Sequence, residues 1–355
     1  MTRSRSILVV TRANDNASVD AVSRRLLDRG VFVVRLDTDR FPLVTRGSTR
    51  IDREGVARRF VVDGVVVDAN DIGAVWYRRF AAGASLPDDL ADLRRVCVDE
   101  SRRSLYGTIA GLAGPQLDRL EDVRRCDHKE LQLLRARELG IAIPTSLFTN
   151  DVDDANAFID DARARNIVVV TKMQSSFAVI RGGKEQVVYT SVVDDDARAD
   201  LAGLRYCPMQ FQHRVDKRLE LRATVVGDRV FCAAIDSQQS AKSQVDWRKD
   251  GVGLLHRWTR YSLPDDVEKR LLRLVRSFGL GYAAADFIVT PAGELVFLEI
   301  NAGGEWFWLD EHFAPEPGWP IATAIADWLH DAARDGRAPH DADDNVKADD
   351  AIDGP

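Results

Sequence analysis

Cysteine is scarce and badly spaced for metal or redox work. The 355-residue chain has four, Cys97, Cys126, Cys207 and Cys232, and no two stand in Cys-x-x-Cys spacing. That excludes a zinc knuckle and a thioredoxin-type motif. A chain this long builds a stable core without disulfides, so reduced thiols and a cytoplasmic location are the expectation. Long apolar runs are also missing. None reaches the roughly 18 residues of a membrane span, and Ile7 to Val10 is too short for the core of a signal peptide. Nor is there an excess of positive charge: the net charge is −7, which argues against nucleic acid as a partner. Several familiar signatures fail as well. Gly182-Gly183-Lys184-Glu185 lacks the Ser/Thr of a phosphate loop. Gly279-x-Gly281-x-x-Ala284 follows a helix and opens a strand, the reverse of a dinucleotide fingerprint. There is no Gly-x-Ser-x-Gly elbow, and the six histidines, His128, His213 and His256 among them, form no local metal-ligand cluster.

What is present reads as α/β at the start and α+β after it. Hydrophobic residues make up 45% and charged residues 30% of the chain, as in ordinary globular proteins. Ile7 to Val10, a helix over Val19 to Leu27 stopped by Gly30, and Val31 to Val34 make a β-α-β opening with parallel strands. A hairpin around Gly64 (Phe60 to Val67), a strand at Ala74 to Tyr77 ending in Arg78-Arg79, and a helix over Asp88 to Ala110 complete a first unit, residues 1–115. A second, residues 116–206, has a helix capped by Asp127 with Glu130 in the reciprocal position, a helix over Asp151 to Ala164, and a strand over Ile167 to Lys172. The third, residues 207–334, is rich in strands: Met209 to Val215, Leu219 to Val226 and Val230 to Ile235. A helix over Pro264 to Phe278 follows, then a hairpin of Tyr282 to Val289 with Glu294 to Ile300, and a closing helix over Pro320 to Ala333. Residues 335–355 hold seven aspartates and almost no large apolar side chains, the composition of a disordered acidic tail.

The hairpin of the third unit carries the strongest chemical signal. Glu299 and Asn301 are two apart and share a strand face. If the strands pair through Pro291 to Gly293, Asp286 lies near Glu299. Two carboxylates and an amide oxygen inside an apolar sheet need either cationic partners among the 41 arginines or a hard cation such as magnesium. The chain has only eight lysines. Lys129 opens a helix after a loop, where, taken alone, a solvated helix lysine is the better reading. Lys172 ends a buried strand, and a nucleotide phosphate is a suitable anion for it. Glu220 and Arg222 share one face of a strand that follows the alternating run Pro208 to Val215.

In this order, Lys129, Lys172, Gln212, Glu220-Leu221-Arg222, Asp286 and Glu299-Ile300-Asn301 resemble the ATP-grasp ligases over about Leu120 to Leu329. The N-terminal part then resembles the pre-ATP-grasp domain, and the remainder a two-lobed ATP-grasp fold. Val75-Trp76-Tyr77-Arg78-Arg79, Asp246-Trp247-Arg248 and Leu298 to Trp306 are similar to the ligases that cyclise graspetides, the microviridin-type ribosomal peptides with side-chain ester or amide links. The resemblance implies ATP and Mg2+ as cofactors. Lys129 and Lys172 would hold phosphates, and Arg222 the transferring phosphate. Gln212, His213 and Val215 would stand at the adenine hinge, where His213 replaces the usual Glu. Glu220 would meet the ribose, and Asp286, Glu299 and Asn301 the metal. Asp246 and Arg248 would meet the reacting side chains of a precursor peptide, and Arg78 and Arg79 either that peptide or a domain interface. The polar stretch Gln238 to Gly253 would be a mobile lid. A carboxylate of the peptide would become an acyl phosphate and be captured by a Ser/Thr hydroxyl or Lys amine. Such ligases are often oligomers, so a homodimer is expected. Read from the residues alone, a ligase of small amino acids and a nucleotide-binding regulator without turnover stay open.

Overall fold

The computed structural model describes residues 5–174, 178–181, 184–187, 190–239, 255–314 and 319–338. The acidic tail from residue 339, and Asp246 and Arg248 with most of the expected lid, lie outside the described residues.

The chain opens with β1 (Ser6–Thr11), α1 (Ala17–Leu27) and β2 (Val33–Asp37). Next come β3 (Arg46–Ile51), β4 (Val56–Val62) and β5 (Val65–Asp68), then β6 (Ile72–Tyr77), α2 (Leu93–Ala110) and β7 (Gln116–Leu117). The parallel sheet runs β2-β1-β6-β7, with Ile7 opposite both Val33 and Ala74. Its central strands β1 and β6 are buried on both faces, which is why Ile7 to Val10 reads as an unbroken apolar run. The hairpin at Gly64 is present, with φ +82° at that glycine, but it belongs to a three-stranded sheet β3-β4-β5. Strand β3, Arg-Gly-Ser-Thr-Arg-Ile, is exposed throughout and carries almost no apolar alternation to reveal it. Helix α2 begins at Leu93, later than Asp88, because Asp88–Leu90 forms a separate 3-10 turn.

The middle of the chain contains α3 (Leu120–Cys126), α4 (Lys129–Glu138), β8 (Ser146–Thr149), α5 (Val152–Ala164) and β9 (Val169–Lys172). Then follow β10 (Ala178–Arg181), β11 (Lys184–Val187), β12 (Ser191–Val192), α6 (Asp195–Ala199) and β13 (Met209–His213). The capping box expected at Asp127 does not form. Asp127 ends α3, and α4 starts behind His128 without a side-chain cap. Asp151 does cap α5, accepting from the N–H groups of Asp153 and Asp154. The sheet order is β12-β9-β13-β8. Strand β13 therefore pairs with the central strands and not with the strands that follow it, with which the sequence pattern had grouped it.

The rest comprises β14 (Leu219–Val226), β15 (Arg229–Ile235), β16 (Thr259–Arg260), α7 (Asp265–Ser277), β17 (Tyr282–Val289), β18 (Leu295–Asn301), α8 (Phe307–Phe313) and α9 (Ile321–Asp335). The antiparallel sheet runs β16-β15-β14-β17-β18. Leu221, Ala223, Val225, Ala283, Ala285 and Phe287 pack beneath it against α4 and α7. The opposite face shares a core with the parallel sheet. There Ile325, Trp328 and Leu329 of α9 lie among Ile7, Val9 and Trp76 on one side and Phe231, Ala233 and Tyr282 on the other. One helix is thus the common layer of two sheets. Among the described residues no helix is long and apolar enough to cross a membrane.

Where the two sheets meet, Asp118 is fully buried and accepts from the N–H groups of Gly281 (2.7 Å) and Tyr282 (3.2 Å). Burial outweighs those hydrogen bonds and pushes its carboxyl up to about 8. In the unfolded chain the same group ionises near pH 4. Between those values the folded chain holds the extra proton, so this group's contribution to stability falls as pH rises. In urea unfolding from pH 5 to 8, Asp118→Asn should flatten the decline seen for the parent chain, even if it lowers stability throughout. An unchanged slope would refute the assignment.

Candidate active site

Three strands set three charged residues in a row. Arg222 on β14 stands opposite Asp286 on β17, and Asp286 stands opposite Glu299 on β18. Direct cross-strand partners share a face. The row depends on an irregularity: between the Asp286–Glu299 and Phe287–Phe297 pairs the register slips, and Leu298 is an extra residue. Such a bulge breaks the alternation of faces. Simple alternation would put Phe297 on the face of Glu299. Instead Phe297 and Ile300 both sink into the core below the sheet, while Glu299 and Asn301 reach the polar partners above it.

Each carboxylate in the row holds a cation. Arg222 Nη1 donates to both oxygens of Asp286 at 2.9 and 3.1 Å. Lys129 Nζ lies 3.0 Å from Glu299 Oε2 and donates to the carbonyl of Met173 at 3.0 Å. Asn301 Nδ2 donates to Asp286 Oδ2 at 3.3 Å, leaving its own amide oxygen as an acceptor. Ion pairing and oxygen clustering, the two readings open at the level of sequence, therefore coexist. Burial opposes the charge of Arg222, but Asp286, with smaller help from Tyr282 and Glu299, holds the guanidinium protonated above its ordinary range. Arg222 Nε is buried and has no acceptor among the described residues.

Lys129 and Met173 connect this row to the central sheet. Lys172 ends β9 opposite Gln210, and Gln212 stands opposite Val170. By strand alternation Lys172, Gln210 and Gln212 share the face away from α5. Gln212 Nε2 donates to Ser146 Oγ at 3.0 Å. His213 does not join them. Its ring packs on Phe158 of α5, centroids 4.9 Å apart, and burial lowers its pKa. The side chain therefore faces α5, opposite to Lys172, Gln210 and Gln212. Val215 is half-buried in the segment joining β13 to β14. Glu220 lies two residues before Arg222 and accepts from Lys217 Nζ at 2.7 Å.

Arg78 and Arg79 go to the contact between units. Arg78 is buried, donates to both oxygens of Asp15 and meets the Glu305 carboxylate at 3.0 and 3.2 Å. Arg79 is partly exposed, bonds Glu305 and donates to the carbonyl of Gly303 at 2.7 Å. Glu305 lies in the run Leu298 to Trp306, and its partner Arg78 is 227 residues away in the chain, which no local pattern reveals. Gln132 was missed entirely. Buried on α4, it donates to the carbonyl of Ile300 at 2.9 Å and accepts from the Ile300 N–H at 2.8 Å. It thereby ties the strand of Glu299 and Asn301 to the helix of Lys129. A glutamine inside a polar helix gives no sign of this.

Residues 6–124 match the family model described as the MvdD pre-ATP grasp domain. The chain is similar to a Chryseobacterium gregarium RiPP-associated ATP-grasp ligase, solved with ADP and a leader and core peptide. Identity is 38% over 92% of this chain and 97% of that one, with a TM-score of 0.86. It is similar to the macrocyclase MdnC from Microcystis aeruginosa MRC, solved with its precursor peptide MdnA, at 38% identity over 92% and 99% of the two chains and a TM-score of 0.82. The macrocyclase MdnB of the same organism gives 32% over 92% and 99%, TM-score 0.75. No curated protein sequence matches.

Gln132→Leu strands both backbone groups of Ile300. Urea unfolding should show a loss of about 2 kcal/mol or more; a loss below about 0.5 kcal/mol would mean that water or a neighbour replaces the side chain.

Proposed function

The chain belongs to the ATP-grasp ligases that cyclise ribosomally made peptides, and from that membership we propose that it forms side-chain ester or amide links in a precursor peptide at the expense of ATP. The observation that carries the reading is the row Arg222–Asp286–Glu299, joined by Asn301 and Lys129 on one sheet face. The residues fit their expected ligands. Two carboxylates and an amide offer hard oxygen donors of the kind magnesium takes. The buried, unspent Nε of Arg222 suits an anion between the two lobes. Asp286, Glu299 and Asn301 would hold magnesium, which when bound neutralises charge on the phosphates.

The work of the chain itself is positioning and charge. Lys129 and Lys172 hold phosphate oxygens from the two sides of the cleft, and Arg222 steadies the phosphate in transfer. Gln212 and the backbone near Val215 line the base, and Glu220 takes the ribose hydroxyls. A carboxylate of the peptide attacks the terminal phosphate, ADP leaves, and a peptide hydroxyl or amine then displaces phosphate to close the ring. Arg248 grips the carboxylate before activation and Asp246 accepts the proton of the incoming hydroxyl. Arg79, still partly exposed, is open to the peptide, whereas Arg78 serves the interface. The four cysteines are unpaired, which suits action in the reducing cytoplasm.

The test incubates the full chain with MgATP and a candidate acidic precursor peptide, rich in Ser/Thr and Asp/Glu. Loss of one water mass per link, with ADP released in step, is the expected result. ADP release with free amino acids alone would replace this reading by a small-acid ligase, and binding without turnover by a regulator. Asp286→Asn and Glu299→Gln should each lower turnover by about 100-fold or more while the fold persists. Turnover within twofold of the parent in both would remove the row from the chemistry.

A further inference from the structure

In an open α/β sheet, ligands bind beyond the carboxyl ends of the strands where the strand order reverses. Here that point lies between β1 and β6, since the chain runs from β1 through α1 to β2 on one side and places β6 on the other. Thr11 ends β1, Arg78 follows β6, and Ser18 stands in the first turn of α1. The crevice is built for an anion. Arg78 is 2% exposed and anchored by Asp15, which Thr11 Oγ1 bonds in turn at 2.7 Å. What enters is a side chain of the third unit: Glu305, met by Arg78, by Arg79 and by Ser18 Oγ at 3.0 Å.

The backbone leading to Glu305 is held at every residue. Gly303 O accepts from Arg79 at 2.7 Å, Gly304 O from the Tyr282 hydroxyl at 2.6 Å, and Glu305 O from Arg222 Nη2 at 3.1 Å. The two glycines permit this closeness. A Cβ on Gly303 would lie 2.7 Å from Arg79 Nη1, and one on Gly304 would lie 2.6 Å from Ala284 Cβ and 2.7 Å from Arg222 Nη2. So the same residue that meets the N-terminal crevice with a half-exposed carboxylate orients, through its carbonyl, the guanidinium that pairs with Asp286.

We propose that Glu305 is a positioning residue: an anion that the chain supplies to its own N-terminal sheet, fixing residues 303–305 and through them the Arg222 guanidinium. The crevice thus serves to align the reaction centre and not to bind a nucleotide of its own. This rests on the role given to Arg222 in the preceding reading. Glu305 need not touch ATP or peptide to act.

The test follows MgATP conversion to ADP by the full chain with the acidic peptide, alongside MgADP affinity by calorimetry and unfolding in urea. Glu305→Ala should lower kcat about 100-fold, the cost of a misplaced group, with MgADP affinity and the KM for ATP within about threefold of the parent. Glu305→Gln keeps the length and an acceptor and should recover about tenfold of that loss. In an Arg222→Lys background, which lacks the contact to the Glu305 carbonyl, Glu305→Ala should cost less than about threefold, because residues acting through one another are not additive. Equal losses in both backgrounds, or a fall in MgADP affinity matching the fall in kcat, would overturn the proposal. If Arg222→Lys alone left turnover unchanged, the reading of the row would fail first, and this inference with it.

Discussion

A carboxylate on an otherwise apolar sheet has to be compensated, and the architecture around Asp286 and Glu299 is organised by that requirement. Leaving either group unpaired would cost several kcal/mol, more than most single contacts contribute. The compensation comes from distant parts of the chain. Arg222 arrives on the neighbouring strand, Lys129 from the first turn of α4, and the amide of Asn301 from the same hairpin. Because Lys129 also binds the Met173 carbonyl, the central sheet and the C-terminal sheet meet at the charges themselves. An ion-pair network that joins two sheets suits a triphosphate, whose own charge can exchange with the partners already present.

The second constraint is the packing of α9 between two sheets. Gly73 shows how close the layers are: a Cβ there would sit 3.0 Å from Ala333 Cβ. With the hydrophobic layer fixing the distance, the polar contact of Glu305 with Arg78, Arg79 and Ser18 fixes the angle. Burial alone is non-directional, and a charge-assisted hydrogen bond at the end of a strand supplies the direction. Here packing and chemistry are linked, since the carbonyl of the same Glu305 bonds Arg222.

Membership of the peptide-cyclising ATP-grasp ligases gives this arrangement its use. A ligase that activates one side chain and captures it with another must keep the activated group oriented and dry. Rigid elements serve that need better than loops, and the row stands on three paired strands braced by Gln132 from α4.

Much of this was legible in the residues. The alternation of Leu-Glu-Ile-Asn and of Ala-Asp-Phe, turned by Pro291 to Gly293, was enough to show a hairpin with Glu299 and Asn301 on one face; unslipped pairing would set Asp286 opposite Leu298, and the bulge brings it opposite Glu299. Local periodicity decides which side chains share a strand face. The β-α-β opening and the helices at α5, α7 and α9 were equally plain, because apolar spacing and a cap such as Asp151 are local properties. Tertiary structure alone decided the rest. The bulge at Leu298 sets Phe297 and Glu299 on opposite faces, β13 pairs with the central sheet, His213 turns toward Phe158, and Arg78 finds Glu305. Each of these depends on a partner far away in the chain or on a single-residue slip of register, and a sequence pattern encodes the surface a residue will face but not which distant surface will meet it.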